Sequence, residues 1–217
     1  GISISPAQIE RARSLTPAGL SCRFAVMDAL ALELPDASFD AVWSVEACPH
    51  MPDKQRYADE LLRVLKPGGL LAVADWNRRD GPMGRGERWV MRQLLEQWAH
   101  PEFATIGGLQ QHLQQSPHAA AMAIETGDWS QATLPSWIDS IAEGVRRPGA
   151  ILGLGPKAVL QGLRETPTIL LMHWALATAL MQFGVFRRSQ PGTMRLVLGY
   201  ARNSARSAPR SRTPSSD

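Results

Sequence analysis

The stretch VWSVEACPHMPDKQRYADELLRVLKPGGLLAVADW, residues 42–76, decides the fold class. It has the pattern of a strand, a loop, an amphipathic helix, a turn and a second strand. The helix is predicted over residues 53–66, because apolar residues recur on one face, at Tyr57, Ala58, Leu61, Leu62 and Leu65. Residues 70–74 are almost all apolar, which is typical of a strand buried on both faces of a parallel sheet. Strands and helices alternating at these lengths predict an α/β fold with an open sheet.

The segment before this stretch continues the alternation. A helix is predicted over residues 6–15, because Ser5 suits the N-cap position and Pro6 suits the first turn. Two short strands are predicted after it, at residues 23–28 and 39–44.

The Pro-Gly-Gly sequence at residues 67–69 is expected to end the central helix, since proline has no amide hydrogen and glycine accepts a positive φ. Further elements are predicted in the second half of the chain. The predicted helices cover residues 86–99, 135–146 and 166–181. The predicted strands lie within residues 121–129 and at 182–187.

The loop that opens the central stretch holds a carboxylate, a thiol and an imidazole: Glu46, Cys48 and His50. As a metal site this cluster offers only Cys48 and His50, and no second pair of ligands follows at zinc-site spacing, so no metal is predicted. In open parallel sheets, ligands bind at the carboxyl ends of the strands. Four predicted strand ends converge on that edge, at residues 1–5, 28–29, 44–46 and 75–76. The loop therefore lies at a predicted ligand site.

Positive charge is concentrated at the C-terminal end of the chain. Residues 187–217 hold seven Arg and one Asp, whereas the rest of the chain holds 16 basic and 19 acidic residues. The remainder lacks the basic face that nucleic-acid binding requires, so no nucleic-acid partner is predicted. Residues 189–217 are predicted to be a disordered tail that follows a domain of residues 1–188. Two cysteines do not make a disulfide framework, which favours a reducing compartment.

The order of three segments resembles class I S-adenosylmethionine-dependent methyltransferases: GISISPAQIERAR, MDALALELPDASFDAVWS and RVLKPGGLLAVADW. The segments GISISP, SVEACPHMPDK, DWNRRDGP and GDWS are most similar to the tocopherol and methyl-phytylbenzoquinol methyltransferase group, which is also similar to sterol C-methyltransferases. The resemblance extends over about residues 1–188. It implies S-adenosylmethionine as cofactor. It also implies a Rossmann-like methyltransferase sheet flanked by helices, with a helical lid in the C-terminal half.

Position by position, the resemblance implies five cofactor-binding residues. Ser3 stands where many members have an acidic residue that binds the ribose. Asp28 and Ala29 would contact the adenine, with the Asp28 carboxylate accepting from the exocyclic amine. Ser44 and Val45 would lie beside the methionine part of the cofactor.

The resemblance also implies that Glu46 and His50 face the methyl-transfer centre. Transfer to a phenolic ring requires a base, and an imidazole of ordinary pKa about 6.5 suits that role near neutral pH. Two interpretations of His50 stay open, a catalytic base and a cap for the helix that starts at Pro52 and Asp53. Glu46 would orient His50 or the substrate hydroxyl, or bind the amino group of the cofactor. Cys48 is interpreted as a small hydrophobic residue of the loop.

The chain departs from the family pattern in one respect. In the family, a glycine-rich loop follows the first strand of the sheet. By the order of the matched segments this loop would precede residue 1, so residues 1–217 do not contain it. The Gly-Leu-Gly sequence at residues 153–155 lacks the required strand before it and is interpreted as a hinge between helices. We therefore expect residues 1–217 alone to bind the cofactor weakly. The predicted function is methyl transfer to a lipophilic small molecule such as a prenylated quinol. The alternatives are a non-catalytic methyltransferase-like chain and a methyltransferase for a sterol or another small acceptor.

Residues 168–186 are almost free of charge and close to the length of a membrane span. His173, Gln182 and Gly184 argue against a span. Together with Trp174, the segment is interpreted as a wall for a lipophilic substrate or as an interfacial face against a bilayer. Simple packing on the sheet is the alternative. The expected location is the cytoplasm, with peripheral membrane contact, and a plastid location stays open.

Overall fold

The computed structural model describes residues 1–119, 124–146, 160 and 181–188. The helices are α1 (Pro6–Leu15), α2 (Lys54–Arg63), α3 (Arg85–Gln97), α4 (Ile106–Gln115) and α5 (Ser130–Arg146). The strands are β1 (Ile2–Ser3), β2 (Ala25–Val26), β3 (Phe39–Val45), β4 (Leu65–Arg78), β5 (Ile124–Asp128) and β6 (Met181–Arg188). The α/β architecture predicted from the sequence is confirmed.

The described strands form two sheets. β1 and β2 pair in parallel, and the second sheet has the order β3-β4-β6-β5. β3 and β4 are parallel, whereas β6 runs antiparallel to both β4 and β5. The sequence analysis predicted the final strand, β6, without a direction. Strand direction is set by the end from which the chain enters the sheet, and the local apolar pattern does not encode it.

The Pro-Gly-Gly sequence at residues 67–69 lies inside β4 and does not end the helix. α2 ends at Arg63, three residues before the predicted end. Phe39 pairs with Leu65 but Ala41 pairs with Leu70, so β4 carries three extra residues between these pairs. Gly68 has φ 79°, and a Cβ on Gly69 would lie 2.7 Å from the Leu65 side chain. The two glycines thus form an irregularity in the strand.

The main core lies between the four-stranded sheet and helices α2 and α4. Its buried members are Cys48, Tyr57, Ala58, Leu61, Leu62, Leu65, Leu71, Val73, Leu109, Leu113 and Ile124. α4 was not predicted, because the Gly-Gly pair at residues 107–108 weakens the helical pattern. Thr105 caps α4 by accepting from the amide of Gly108, and Leu109 and Leu113 bury one face.

The opposite face of β4 is only partly covered. Leu71 and Val73 are buried, whereas Leu70 is 45% exposed and Ala72 is also exposed. The expected burial of residues 70–74 on both faces is therefore wrong for the face that holds Leu70. Further along this face, α3 covers the end of β4 through a second cluster, formed by Trp76, Val90, Met91, Leu94 and Phe103.

The remaining predictions fall partly outside the described residues. β5 and β6 confirm the predicted strands, and α5 begins five residues before the predicted start, with Pro135 inside it. The predicted hinge at residues 153–155 and the tail at 189–217 lie outside the described residues. So does the predicted helix of residues 166–181, apart from its last residue, which belongs to β6. Within the described ranges, no helix has both the length and the apolar character needed to cross a bilayer.

Candidate functional site

Glu46 is fixed in a strained backbone conformation directly after β3. Its φ is 54°, a left-handed value that is uncommon for a residue with a side chain. Its amide donates to the carbonyl oxygen of Ala74 at 2.8 Å, and its Oε1 accepts from the indole Nε1 of Trp76 at 3.1 Å. Such strain is often found at functional sites. The carboxylate is therefore held by Trp76, and no described hydrogen bond joins it to His50.

A short 3-10 turn, Cys48–His50, presents His50 at the surface. The ammonium group of Lys54 donates to three carbonyl oxygens of this loop, those of Cys48 (2.7 Å), Pro49 (3.4 Å) and Met51 (2.6 Å). An ammonium group has three N–H donors, so each carbonyl receives one. Lys54 thereby fixes the backbone that carries His50.

The start of α2 is capped by Asp53 and not by His50. The Asp53 carboxylate accepts from the amide of Arg56 at 2.8 Å, as an N-cap side chain does. The capping interpretation of His50 is therefore wrong. His50 itself is exposed, so its ring is accessible to a ligand at the edge of the sheet.

A second imidazole, that of His100, lies against His50. The two ring centroids are 4.3 Å apart, and the ring of Phe103 also contacts His100, with a centroid distance of 5.1 Å. Ala99 turns the chain here with φ 51°, and the amide of His100 donates to the carbonyl oxygen of Leu95 at 3.0 Å. Nδ1 of His100 is buried with no hydrogen-bond partner among the described residues. Burial, with the neighbouring His50 and Lys54, lowers the pKa of His100 to about 4, so the ring is neutral near pH 7.

Beneath the loop lies a buried carboxyl group, that of Asp75. The residue is 0% exposed, and neither side-chain oxygen makes a hydrogen bond to a described residue. Burial raises the pKa of Asp75 to about 8, and Glu46 adds to this rise, whereas the Lys54 ammonium and the nearby amides of Cys48 and Ala47, whose geometry falls short of a hydrogen bond, oppose it. An unpaired buried carboxylate is costly, so Asp75 is mainly protonated at neutral pH.

Cys48 behaves as a hydrophobic residue of the core. It is buried, and burial raises the pKa of its thiol to about 12, so the thiolate is not available as a nucleophile or metal ligand. The described residues contain no group of three or more His, Cys, Asp or Glu side chains arranged to hold a metal ion. The interpretation of Cys48 as a small loop hydrophobe agrees with this environment.

Ser44 and Val45 end β3 next to Glu46. The Tyr57 hydroxyl donates to Oγ of Ser44 at 2.6 Å, which leaves the hydroxyl proton of Ser44 free to donate. Burial raises the pKa of Tyr57, so its phenol stays protonated. Val45 is 66% exposed on the other face of the strand. The structure thus brings Ser44, Val45 and Glu46 together at one strand end.

Ser3, Asp28 and Ala29 lie at the end of the two-stranded sheet. The amide of Met27 donates to the Ser3 carbonyl at 3.0 Å, and Oγ of Ser3 donates to Oε1 of Gln8 at 2.5 Å. The exposed Asp28 uses Oδ1 to accept from the amide of Leu30 at 2.9 Å. These residues are therefore close to one another, on a different sheet from Ser44.

Helix α2 contacts both the segment after β2, which holds Asp28 and Ala29, and the loop after β3, which holds His50. Nε of Arg56 donates to the Leu30 carbonyl at 2.9 Å, and the amide of Leu32 donates to the Glu60 carboxylate at 2.7 Å. Ala29 and Leu30 also pack against the main core. Since α2 supports the His50 loop as well, the segment after β2 and the loop after β3 share one scaffold.

Sequence reasoning identified the His50 loop but missed its supports. Asp75 was placed at a predicted strand end, but without a role, whereas His100 reaches the loop only through the tertiary fold and no local pattern marks it. Lys54 carries a weak signal, because it is a cation placed four residues after a loop histidine at a helix start. The cap at Asp53 could have been recognised from its residue type.

Comparison with known proteins gives three findings. Residues 1–73 match the family described as methyltransferase domain. The chain is 51% identical over 190 residues to 2-methyl-6-phytyl-1,4-hydroquinone methyltransferase of Synechocystis sp., covering 86% of this chain and 59% of the relative. It is 28% identical to the chloroplastic tocopherol O-methyltransferase of Arabidopsis thaliana, covering 88% of this chain and 56% of the relative. The chain thus spans less than two thirds of these relatives.

The fold is shared with a solved methyltransferase structure. The chain superposes with a TM-score of 0.70 on phosphoethanolamine N-methyltransferase 2 of Haemonchus contortus in complex with S-adenosyl-L-methionine, at 17% identity, covering 88% of this chain and 43% of that protein. This likeness supports the Rossmann-like fold. The methyltransferase-domain match covers residues 1–73, and the 51% identical relative extends the sequence similarity over 190 residues.

Proposed function

We propose that the protein binds S-adenosylmethionine and transfers its methyl group to a prenylated hydroquinone. The observation that carries this proposal is the 51% identity, over 190 residues, to an enzyme named for a phytylated hydroquinone. The site geometry supports it, because an exposed imidazole stands at the strand edge where ligands of such sheets bind.

The described residues fit the cofactor. Asp28 is exposed, and its Oδ2 makes no described hydrogen bond, so it can accept from an amine such as that of adenine. Ser44 retains a hydroxyl proton to donate at the end of β3. Ser3 and Ala29 would complete the adenosine side, and Val45 would contact the methionine side. When bound, S-adenosylmethionine supplies an electrophilic methyl group.

His50 is proposed as the base that accepts the proton of the acceptor hydroxyl. Removing that proton makes the aromatic ring a stronger nucleophile, and a ring nitrogen of His50 holds the proton while the bond from sulfur to the methyl group is exchanged for a bond to the ring carbon. That carbon then loses its own hydrogen as a proton and the hydroxyl regains one, so a single proton is released in all. The neutral ring of His100 limits the rotation of His50 by lying against it. Lys54 fixes the backbone of the turn, so the imidazole is positioned before the acceptor arrives.

Glu46 is proposed to contact the acceptor or the cofactor amino group through the oxygen that Trp76 does not hold. Its Oε1 is bound to the Trp76 indole, and its backbone strain keeps the carboxylate at this edge. Because no described hydrogen bond connects Glu46 to His50, its proposed role is to bind a ligand and not to orient the base.

To identify the acceptor, the protein is incubated with methyl-labelled S-adenosylmethionine and one candidate acceptor at a time. A phytylated hydroquinone, a tocopherol and a sterol are compared, and mass spectrometry locates the label in the product. We expect the label on the hydroquinone. Cofactor binding without labelling of any acceptor would favour a non-catalytic chain, and labelling of the sterol alone would replace the proposed substrate.

A further inference from the structure

The outer side of α3 carries a cleft lined by Met83, Arg85, Arg88, Met91 and Arg92, here called the basic cleft. Its volume is about 340 Å³, and it lies open to solvent. We propose that the basic cleft binds the anionic headgroup of a membrane lipid and so docks α3 on an anionic bilayer.

The arginines of the basic cleft are available for a negatively charged ligand. Arg85 and Arg92 make no hydrogen bond or ion pair with the residues that the structure describes. Arg88 donates only to the carbonyl oxygen of Met83. The acidic residue within this part of the helix, Glu87, is already held by Arg79 at 2.7 Å. Planar guanidinium groups match the oxygens of a phosphate ester, so three of them suit a phospholipid headgroup.

The apolar groups around the basic cleft favour a bilayer over a free anion. Met83, which is half-buried, and Met91, which is buried, complete its lining. Trp89, on the same exposed side of α3, is 50% exposed. Indole rings accumulate where the headgroups meet the acyl chains, and basic side chains beside them are typical of helices that lie in the membrane interface. The next acidic residue along the helix, Glu96, lies one turn beyond Arg92.

The basic cleft is connected to the candidate site by direct packing. Met91 belongs to the cluster that contains Trp76, and Met83 packs against the same cluster. Trp76 in turn donates to Glu46. A bilayer docked on α3 would therefore lie beside the edge where the acceptor reacts. This last step rests on the proposed function, because it matters only if the acceptor is a lipophilic molecule held in the bilayer.

The test measures partition of the full chain onto vesicles by sedimentation. Vesicles of phosphatidylcholine with phosphatidylglycerol are compared with vesicles of phosphatidylcholine alone. The variant R85Q/R88Q/R92Q removes the three charges of the basic cleft, and R202Q/R206Q/R210Q removes three charges from the basic C-terminal segment as a matched control. Since each cation near an anionic bilayer strengthens binding about fivefold, we expect the cleft variant to bind on the order of 100-fold more weakly. The control variant should retain most of the binding.

Several outcomes would overturn the proposal: equal losses in the two variants, equal binding to both kinds of vesicle, or no binding of the unmodified chain. Binding of inorganic phosphate by calorimetry without vesicle binding would assign the basic cleft to a free anion instead. The three arginines are exposed, so each single variant is measured too if the triple variant does not fold. Neither cofactor nor acceptor is present, so the result is independent of whether the protein transfers a methyl group.

Discussion

The imidazole rings of His50 and His100 meet edge to face, with their centroids 4.3 Å apart and their planes inclined at 70°. The two residues come from different elements, the 3-10 turn after β3 and the turn after α3. One ring is exposed, and the other is half-buried and neutral. This pairing gives the candidate base a fixed neighbour that does not compete for the proton.

Replacement of His50 by alanine should lower turnover by about 10²–10⁴-fold, which is the usual contribution of a positioned proton acceptor. Cofactor affinity should change little, because His50 is proposed to face the acceptor. The pH–rate profile should also lose the limb that reports the base. Steady-state kinetics across a pH series, with calorimetry for the cofactor, measures all three effects.

The matched control is Asp53→Ala, which removes the cap of α2 next to the same turn. It should lower the free energy of unfolding by about 1 kcal/mol and leave turnover per folded molecule nearly intact. If His50→Ala behaved like this control, His50 would not be the base, and the role would pass to Glu46.

Replacement of His100 by phenylalanine should stabilise the protein most strongly in mild acid. The change removes the buried, unpaired Nδ1, a gain of about 1–3 kcal/mol. The folded pKa of His100 is about 4, so the native state resists the proton that the unfolded chain binds below about pH 6.5. The unmodified protein therefore loses stability as pH falls from about 6.5 to about 4. The phenylalanine variant has no imidazole at this position and does not show this loss.

Phenylalanine also keeps a ring against His50, so turnover should be nearly retained. His100→Ala removes the ring and should lower turnover by about 10-fold or more through misplacement of His50. Thermal unfolding at several pH values and kinetics of both variants provide the measurements. Equal turnover in the alanine variant would show that His100 does not position His50.

The parts of the fold that were predictable are those with a local physical cause. α1 begins at Pro6 as predicted, because Ser5 accepts from the amide of Gln8 and the proline occupies the first turn. The loop of Glu46 and His50 was singled out by the rule that ligands bind at strand ends, and its role as a site stays a prediction. His100 could not be found in this way, since it lies 50 residues from His50 and touches it only in the folded chain.

The turn that places His100 allows a test of backbone strain. Ala99 has φ 51° directly after the last residues of α3, a position that usually holds glycine. Ala99→Gly should raise the free energy of unfolding by about 0.5–1 kcal/mol, because the left-handed conformation costs an alanine more than the added freedom of the unfolded chain. As a control, Ala12→Gly in α1 should lower it by a similar amount. Urea unfolding measures both, and a loss with Ala99→Gly would contradict the assigned conformation.

The proposed adenine contact is tested by two replacements of Asp28. Asp28→Ala should weaken S-adenosylmethionine binding by about 1–3 kcal/mol, since an amine donor of the cofactor would lose its acceptor. Asp28→Asn keeps an oxygen for the amide of Leu30, so it separates damage to the local turn from loss of the carboxylate. Calorimetry showing the same affinity for all three proteins would remove Asp28 from the cofactor site.

Replacement of Asp75 by asparagine should stabilise the protein more as pH rises. The folded pKa of Asp75 is about 8, above the ordinary value of about 3.9 in an unfolded chain, so the native state binds the extra proton between these values. The stability that depends on the protonated carboxyl is therefore fully present below about pH 4 and is lost as pH rises toward about 8.

Asparagine has nearly the same shape as aspartate and no charge. The free energy of unfolding of the Asp75→Asn protein should therefore exceed that of the unmodified protein by an amount that grows between about pH 4 and about pH 8. It should reach a few kcal/mol at the upper end and then level off. The charged groups that act on this site, Glu46 and Lys54, are the same in both proteins and do not produce the difference. Urea unfolding at a series of pH values measures the gap between the two proteins. A gap that stays constant, or that reverses in favour of aspartate at high pH, would mean that Lys54 and the loop amides hold Asp75 as a carboxylate.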